Sequence, residues 1–535
     1  MILMHSTAEA SVGSVSLPAD VEWVRYYQDG QMCRWGPLHF EGDVKRVAVG
    51  GVWQQLVDHP SGTVLTVPSK LSWDFSRSDR ILKASSPDFS VTFSAEQSPY
   101  EDVDGYIEFY QNRFYTNEFF LESNGLVLLE DQTIRTAGFS TRLLTLQYKG
   151  ERGCLPYTVY TFAYQRTGGR GYNRYLFRGN EHSDAYRSTV SDILNSYTRV
   201  RARGKALPQL DTIPRAEPFW DWETLNLWKR YRVQETLDWG IFVENVFFTG
   251  IHETIPEMER RIGKAFDVVL MYIQLGVPLE LSGMYEAHRQ KKVIELTVQV
   301  CHNNNQNVYG YTPMLSLVAG HMDDAIRNLA SQLKDFKHPV LFRLNNEMNS
   351  DWTSYSGIIT LGDPDIYVLA WQRIYEVFRE EGVRNAIWVF NPNDRNYPPS
   401  NWNDFSCYWP GGEYVQMLGI TGYNTGDYYR NVTGEVWREF SNIYDEIARK
   451  FLPLFEDYPW IITEFASSSY GGNKARWIDR MFASISRYPN IKVAVWWSYA
   501  DYDTRPGREH IAARPYFLDE TNETIEAFAS GRNKE

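Results

Sequence analysis

The stretch Val340-Leu-Phe-Arg-Leu-Asn-Asn-Glu-Met-Asn349 decides how the C-terminal part of this chain is interpreted. Its first five residues are apolar apart from Arg343, as expected of a buried parallel strand, and polar residues crowd its end. A second apolar run, Pro459-Trp-Ile-Ile-Thr-Glu-Phe-Ala466, delivers one carboxylate, Glu464, in the same way. Two such strands predict a site at the edge where the carboxyl ends of parallel strands meet.

Short apolar runs alternate with longer amphipathic stretches from about residue 235 onward. Eight runs predict strands at residues 239–246, 268–273, 293–300, 340–344, 386–390, 417–422, 460–465 and 493–497. Helical patterns lie between them, as at residues 322–336, 364–381, 436–455 and 474–488. Eight strands alternating with helices predict an α/β fold that closes as a (β/α)8 TIM barrel, with its active site at the strand carboxyl ends.

The N-terminal part has a different pattern. Strands are predicted at residues 21–27, 64–67, 89–93, 106–110, 125–129 and 157–164, followed by a helix at 182–197. This succession predicts a smaller α+β domain and resembles the PsbP and DcrB type of domain; the alternative is a β-sandwich carbohydrate-binding module. The predicted organisation is an accessory domain at 1–200, a basic and then proline-punctuated linker at 201–234, and the barrel at 235–535.

Composition narrows the class of protein. The chain has 535 residues, enough for two domains, with a hydrophobic share of 43% and a charged share of 23% that are typical of a soluble globular protein. A formal charge of -13 would repel a phosphate backbone, so no nucleic-acid partner is expected. No apolar run approaches the roughly 20 residues of a membrane span. The aromatic share of 15% suits a protein that stacks flat rings on sugars.

Cofactor signals and a clear secretion signal are missing from the sequence. The four cysteines lie far apart, and neither a metal-ligand spacing, a glycine-rich phosphate loop nor a Rossmann fingerprint occurs, so no cofactor or metal is expected. The start, Met1-Ile-Leu-Met-His-Ser-Thr-Ala-Glu-Ala10, ends in a small-residue pattern but lacks a basic start and a long apolar stretch. A secreted or cell-surface location is expected, with a cytoplasmic one as the alternative.

The pair Glu347 and Glu464 suits cleavage of a glycosidic bond. Acetal cleavage requires a proton for the leaving oxygen, and the retaining route adds a second carboxylate, about 5 to 5.5 Å from the first, that attacks the anomeric carbon. Strands four and seven of the predicted barrel lie on opposite sides of its mouth, close enough for that spacing. A lone glutamate at a strand end is commonly a salt-bridge partner or a helix cap, whereas this pair favours catalysis.

The segment Arg343-Leu-Asn-Asn-Glu-Met-Asn-Ser-Asp-Trp352 resembles the acid/base segment of glycoside hydrolase family 26, the β-mannanases and their relatives. Further motifs follow in the family's order: Gly320-His-Met-Asp-Asp324, Ile387-Trp-Val-Phe-Asn-Pro-Asn393, Tyr408-Trp-Pro-Gly-Gly-Glu-Tyr-Val415, Gly419-Ile-Thr-Gly-Tyr423 and Val495-Trp-Trp497. The resemblance covers the barrel but not the N-terminal third. It implies a retaining glycosidase with Glu347 as acid/base and Glu464 as nucleophile.

Other residues are expected to surround this pair. Arg343 is expected to keep Glu464 charged, because period-2 counting places it on the same side as Asn345 and Glu347. The resemblance implies that Tyr423 hydrogen-bonds the nucleophile. Trp496 and Trp497 face opposite sides of strand eight, and the resemblance favours Trp496 as the sugar platform.

Two further side chains are candidates for binding sugar units near the cleavage point. Trp352, on the loop after the acid/base residue, is expected to stack on a neighbouring sugar. His302, at the end of strand three, is expected to bond a substrate hydroxyl. A Trp packed on a helix and a structural histidine are the respective alternatives.

One departure from the family pattern concerns the substrate. The residue before the acid/base is usually His in family 26 mannanases, and here it is Asn346. An asparagine there normally bonds the sugar 2-hydroxyl, the position at which mannose and glucose differ. The expected activity is endo-cleavage of a β-linked polysaccharide or oligosaccharide, with β-mannan favoured. A β-glucan, a xylan or a bacterial exopolysaccharide remains open, as does a non-catalytic glycan-binding protein.

Overall fold

The computed structural model describes residues 21–28, 31–39, 44–49, 52–202, 204–301 and 311–534. The N-terminal part contains the helices α1 (Val103–Ile107), α2 (Glu118–Ser123) and α3 (Asp184–Ser196). Its strands are β1 (Val21–Gln28), β2 (Gln31–His39), β3 (Val44–Val49), β4 (Trp53–Asp58), β5 (Thr63–Pro68), β6 (Ser72–Asp74), β7 (Leu82–Ser85), β8 (Phe89–Gln97), β9 (Leu126–Thr136), β10 (Phe139–Tyr148), β11 (Val159–Gly168), β12 (Gly171–Gly179) and β13 (Thr198–Arg199).

These strands form antiparallel sheets, as expected of the predicted α+β class. A seven-stranded sheet has the order β6-β7-β8-β12-β11-β10-β9, and a four-stranded sheet has the order β13-β5-β4-β3. Apolar residues from both sheets, such as Leu65 and Phe177, form one buried cluster with Ile193 and Leu194 of α3. Residues of the other face of the larger sheet, such as Phe162, belong to the cluster that continues into the barrel. The central strands β11 and β12 of the larger sheet are therefore buried on both faces.

The strand predicted at residues 106–110 is wrong. This segment is the end of α1 followed by a π-helical turn at Glu108–Asn112. The side chain of Asp102 caps α1 by accepting a hydrogen bond from the N–H of Gly105 at 2.9 Å. Val103, Tyr106 and Ile107 are buried at spacings of three and four residues, which is the pattern of a helix and not of a strand.

The C-terminal part is the predicted (β/α)8 barrel. Eight parallel strands close in sequence order: β14 (Asp238–Phe242), β15 (Val268–Gln274), β16 (Val293–Gln299), β17 (Val340–Leu344), β18 (Ala386–Phe390), β19 (Met417–Thr421), β20 (Trp460–Phe465) and β21 (Ile491–Trp497). Around and after them lie α5 (Ile255–Ile262), α6 (Leu281–Arg289), α7 (Met314–Ala319), α8 (Asp323–Phe336), α9 (Pro364–Glu381), α10 (Arg430–Thr433), α11 (Phe440–Phe455), α12 (Lys474–Ile485), β22 (Ala500–Tyr502), β23 (Ala512–Pro515) and α13 (Asn522–Arg532).

A helix, α4 (Trp222–Val233), lies within the range predicted as linker. Trp228 and Tyr231 of α4 are buried in the same cluster as inward-facing strand residues such as Leu341. The indole N–H of Trp228 donates to the carbonyl oxygen of Gln416 at 3.1 Å, just before β19 begins. The second half of the segment therefore closes the N-terminal end of the barrel, which leaves the opposite end as the mouth.

Polar contacts fasten the N-terminal domain to the loop that follows β17. The hydroxyl of Tyr115 donates to the carbonyl of Ile358 at 2.5 Å, and Arg174 donates to the carbonyl of Gly362 at 2.6 Å. No helix in the described ranges is both long and apolar enough to cross a bilayer.

Candidate active site

Arg343 and Glu464 meet at the centre of the barrel mouth. Their Nη1 and Oε1 atoms are 2.6 Å apart, and both side chains are buried. Arg343 is oriented by Thr297, whose hydroxyl lies 2.6 Å from Nε, and by Asn391, whose Oδ1 lies 3.0 Å from Nη1. The guanidinium is thus held in place on several sides and presents a fixed positive charge to Glu464.

Further donors surround the Glu464 carboxylate. The hydroxyl of Tyr423 donates to Oε2 at 2.9 Å, and the amide of Asn346 donates to Oε1 at 3.3 Å. Arg343 also donates to Oε1. Oε1 therefore accepts hydrogen bonds from Arg343 and Asn346, and Oε2 accepts one from Tyr423. This arrangement fixes the position of the carboxylate, as attack through one of its oxygens requires.

A β-bulge turns Glu464 into the barrel. Ile420 of β19 pairs with Ile462 of β20, but the next residue, Thr421, pairs with Glu464, so Thr463 is an extra residue in β20. Strict alternation from Ile462, which faces the outer layer, would have pointed Glu464 outward as well. Bulges of this kind commonly re-aim a side chain beside an active site.

Glu347 follows β17 in an unusual backbone conformation. Glu347 and Asn345 have φ values of 59° and 48°, in the left-handed region that L-residues seldom occupy. Asn345 accepts a hydrogen bond from the N–H of Val300 at 2.7 Å through its side-chain oxygen. Period-2 counting, which placed Asn345 on the side of Arg343, fails because β17 has already ended. Such strain is held by surrounding contacts and is typical of functional sites.

The environment of Glu347 favours its protonated form. Burial, followed by the neighbouring charge of Glu464, raises the pKa of Glu347 to about 8. The indole N–H of Trp352 donates to Oε2 of Glu347 at 3.1 Å and acts in the opposite direction. Glu347 is therefore protonated at neutral pH, as a general acid must be.

Replacing Trp352 with Phe is expected to move the alkaline limb of kcat/KM to higher pH by about 0.5 to 1 unit. The substitution removes a hydrogen bond to the charged carboxylate, worth about 0.5 to 1.5 kcal/mol, so the pKa of Glu347 rises. The measurement is the pH profile of kcat/KM for both proteins. Trp222→Phe, at a 79% exposed position on α4, is the control. A limb that stays in place or moves to lower pH would contradict the expectation.

Glu295 is a buried acid that the sequence interpretation missed. It lies on β16 beneath the mouth, fully buried, with Oε1 3.1 Å from Nε of Arg343. Burial raises the pKa of Glu295 to about 8, although Arg343 opposes the shift. The sequence feature that could have identified it is a single charged residue within the otherwise uncharged predicted strand Val293-Ile-Glu-Leu-Thr-Val-Gln299.

Glu295→Gln is expected to flatten the decline of stability between about pH 4.5 and pH 8. The folded-state pKa of Glu295, about 8, lies above the ordinary 4.5, so the native state binds more protons and loses stability as pH rises between these values. The loss amounts to about 1.4 kcal/mol per pH unit in this window. Urea unfolding of both proteins at pH 5, 6.5 and 8 measures it. Parallel pH dependences would refute this assignment.

Trp496 does not line the mouth, so that expectation is wrong. It is fully buried in the outer cluster, where its indole N–H donates to the carbonyl of Tyr516 at 2.8 Å. Trp497 faces inward instead, stacked on Phe242 at 5.5 Å and edge-on to Tyr423 at 6.2 Å. Alternation on β21 explains the exchange, since Val493 and Val495 also face inward.

Of the remaining candidates, Trp352 lies at the rim, 39% exposed, with its ring 5.5 Å from that of Tyr397. His302 lies outside the described residues. The structure therefore brings together Arg343, Asn346, Glu347, Trp352, Tyr423 and Glu464.

A histidine and glutamate cluster lies away from the mouth. Ligand atoms of Glu223, His288 and His338 lie within 4.8 Å of one another, an arrangement that sequence spacing did not indicate. The two imidazole rings stack nearly parallel, 3.4 Å apart between centroids. Imidazole binds a metal in the plane of its ring, so these two rings as placed do not converge on one ion.

The similarity to a known family lies within the barrel. Residues 264–453 match the family model described as Glycosyl hydrolase family 26, a range that includes Glu347 and ends before Glu464. Endoglucanase H of Acetivibrio thermocellus is 31% identical over 189 residues, which are 35% of this chain and 20% of that protein. A mannan endo-1,4-beta-mannosidase of Bacillus subtilis is 32% identical over 105 residues, 18% of this chain and 27% of that protein. The matches thus span less than a third of these relatives' length.

A solved structure, the GH26 beta-mannanase from Bacteroides ovatus, aligns with 58% of this chain and 92% of its own chain. The identity is 14% and the TM-score is 0.41.

Proposed function

From the match of residues 264–453 to the model of glycosyl hydrolase family 26, we propose that the protein is a retaining, endo-acting glycoside hydrolase of β-linked polysaccharides. The observation that carries the proposal is the contrast between two neighbouring carboxyl groups. Glu347 has a pKa raised to about 8, whereas Glu464 is surrounded by donors from Arg343, Asn346 and Tyr423. One acid and one base in a single site are what a double displacement requires.

In the first half of the proposed reaction, an oxygen of Glu464 attacks the anomeric carbon of the sugar at the cleavage point. The bond to the leaving oxygen breaks, and that oxygen takes the proton of Glu347. The products are a glycosyl ester on Glu464, an ionised Glu347 and a shortened chain with a free hydroxyl. Arg343 orients the nucleophile before the attack through its contact with Oε1.

In the second half, Glu347 acts as a base. It takes a proton from a water molecule, whose oxygen attacks the anomeric carbon from the side that the leaving group has vacated. The ester bond breaks, and Glu464 regains its negative charge beside Arg343 and Tyr423. Both carboxyl groups return to their starting protonation states, and the configuration at the anomeric carbon is retained.

Asn346 bears on the choice of substrate. Its Oδ1 accepts hydrogen bonds from Gln299 Nε2 and from the hydroxyl of Tyr355, both at 2.9 Å. The amide nitrogen is thereby turned toward Glu464, where the 2-hydroxyl of a sugar attached to the nucleophile would lie. This donor is the group that would distinguish an axial from an equatorial 2-hydroxyl, the difference between mannose and glucose.

We propose β-mannan as the first substrate and a β-glucan as the second. Mannan is supported by the two Bacillus subtilis relatives, which are both mannan endo-1,4-beta-mannosidases, and by the frequency of mannanases in the family. A glucan is supported by Asn346, which replaces the usual histidine, and by the name of Endoglucanase H.

The test is reducing-end release from β-mannan, glucomannan, mixed-linkage and β-1,3-glucans, xylans and bacterial exopolysaccharides, with product sizes followed over time. Endo action is expected to yield a spread of oligosaccharides and a rapid fall in viscosity. Release of terminal monosaccharide alone would overturn the endo assignment. Absence of any cleavage across the panel would count against the enzyme and in favour of a glycan-binding protein.

A further inference from the structure

We propose that the N-terminal domain contributes a second glycan-binding surface, which holds sugar units of the polysaccharide at a distance from the cleavage point. Three aromatic residues form this surface, here named the aromatic ledge: Tyr100, Phe109 and Tyr110. The inference rests on the proposed function, because it assigns the occupant as the continuation of the same polysaccharide chain.

The ledge is an exposed and ordered aromatic surface. Phe109 and Tyr100 are 55% and 51% exposed. The rings of Tyr100 and Tyr110 are stacked at 5.9 Å and 19°, and the ring of Phe109 meets that of Tyr110 edge-on at 4.7 Å. Aromatic rings in this number are ordinarily buried, so a contiguous exposed set marks a binding surface.

The backbone under the ledge is distorted in a way that exposes these rings. Phe109 and Tyr110 lie in the π-helical turn Glu108–Asn112 that interrupts the end of α1. Tyr106 and Ile107, one turn earlier, face the core. Single π-helical turns are rare and occur frequently at functional sites, because the extra residue rotates the following side chains to a new face.

Contacts connect the ledge to the candidate active site. The Arg113 guanidinium lies 5.2 Å from the centre of the Phe109 ring, and its Nη2 pairs with Oδ2 of Asp351 at 3.1 Å. Asp351 immediately precedes Trp352, whose indole N–H donates to Glu347. Phe109 and the acid/base residue are therefore linked through three intervening residues.

A second contact places α1 beside the other rim loop. The hydroxyl of Tyr106 lies 3.2 Å from that of Ser400, in the loop that carries Tyr397. Tyr397 and Trp352 are themselves in ring contact at 5.5 Å. The helix that precedes the ledge thus lies beside the loop that carries one of the exposed aromatic rings of the rim.

The chemistry of the ledge fits a neutral, extended carbohydrate. Its members offer flat apolar faces and two phenolic hydroxyls, which match the apolar faces and the hydroxyl rims of pyranose rings. The contacts that join the ledge to both rim loops favour the polysaccharide chain over an unrelated ligand. A polymer long enough to reach the ledge would gain binding energy there, and a short oligosaccharide confined to the mouth would not.

The experiment compares long and short substrates in the full chain. Phe109→Ala and Tyr100→Ala are made singly and together, with Trp222→Ala as the control on the closed end of the barrel. The substrates are the polymer that wild type cleaves fastest and the shortest oligosaccharide that it still cleaves. The double variant is expected to raise KM for the polymer about three- to tenfold, to leave kcat unchanged, and to leave both constants unchanged for the oligosaccharide.

An unchanged polymer KM in the double variant would overturn the ledge while leaving the glycosidase intact. A rise in KM for both substrates would also overturn it, since the effect would then act through the mouth. The single variant Tyr100→Ala separates loss of binding at the ledge from an effect transmitted to the mouth. Tyr100 is not one of the residues in the chain of contacts from Phe109 through Arg113 to Asp351. If wild type cleaves no polymer, the proposed function fails, and retardation of the protein in gels containing each polymer tests the ledge independently. Equal retardation of wild type and double variant would then exclude it.

Discussion

Glu464→Gln is expected to lower kcat/KM on the order of 10⁴- to 10⁶-fold, the range observed when the nucleophilic machinery of an enzyme is removed. The amide cannot form the glycosyl ester, and it leaves Arg343 without one of its two buried carboxylate partners. The measurement is kcat/KM on the polymer that wild type cleaves fastest, with thermal unfolding followed in parallel to establish that the variant is folded.

Glu347→Gln is the matched control because it changes the other carboxyl group by the same single atom. We expect a loss of about 10²- to 10⁴-fold on polysaccharide, since general acid catalysis contributes on that scale. A substrate with an acidic phenol as leaving group needs little protonation, so its first turnover is expected to survive in Glu347→Gln and to be lost in Glu464→Gln. If Glu464→Gln retained more than a tenth of wild-type activity, the nucleophile assignment would be wrong.

Asp365→Ala is expected to lower the free energy of unfolding by about 3 to 5 kcal/mol, the cost of leaving buried charges without their partner. Asp365, near the start of α9, binds cations of the N-terminal domain: Arg178 at 2.9 Å, Lys83 at 2.6 Å and Arg77 at 3.4 Å. Burial alone would raise the pKa of Asp365, but these cations outweigh it and hold the pKa below its usual value. Removal of the carboxylate takes one negative charge away from these three cations at a mostly buried interface, where Arg178 keeps its ion pair with Asp363 at 2.9 Å and Arg77 keeps its ion pair with Asp74 at 3.6 Å.

Urea unfolding and the melting temperature measure this loss. Asp211→Ala is the control, because Asp211 and Arg215 form an exposed ion pair whose removal is expected to cost about 0 to 1 kcal/mol. A loss under 1 kcal/mol in Asp365→Ala would show that this cluster of ion pairs contributes little to the stability of the interface. Activity on polysaccharide is expected to fall together with stability, because the same interface holds the loop that carries Trp352.

The barrel and its pair of glutamates could be predicted from sequence because their signals are local. A buried parallel strand is an apolar run of five to seven residues, and its end is marked where polar residues begin. The strands at Val340–Leu344, Ala386–Phe390 and Trp460–Phe465 begin and end as predicted. Glu347 and Glu464 stand out for the same reason, since each is the first carboxylate after an apolar run.

The direction of individual side chains was decided only by tertiary structure. Alternation along a strand tells which residues share a face, but not which of the two faces is inside. The resemblance favours Trp496, whereas Trp497 is the residue that lies inward. The bulge at Thr463 and the left-handed residues Asn345 and Glu347 break the alternation altogether. These departures are set by pairing with neighbouring strands that are distant in sequence.

The barrel, its eight strands and the two carboxylates at its mouth thus follow from local sequence, because hydrophobic period and strand ends are properties of short segments. The environment of those carboxylates depends instead on how distant segments pack. Glu295 lies beneath Arg343 through pairing of β16 with β17, and the N-terminal sheet reaches the mouth through contacts between residues more than 180 positions apart. Charge and burial around a catalytic group arise from such long-range packing, which no local pattern encodes.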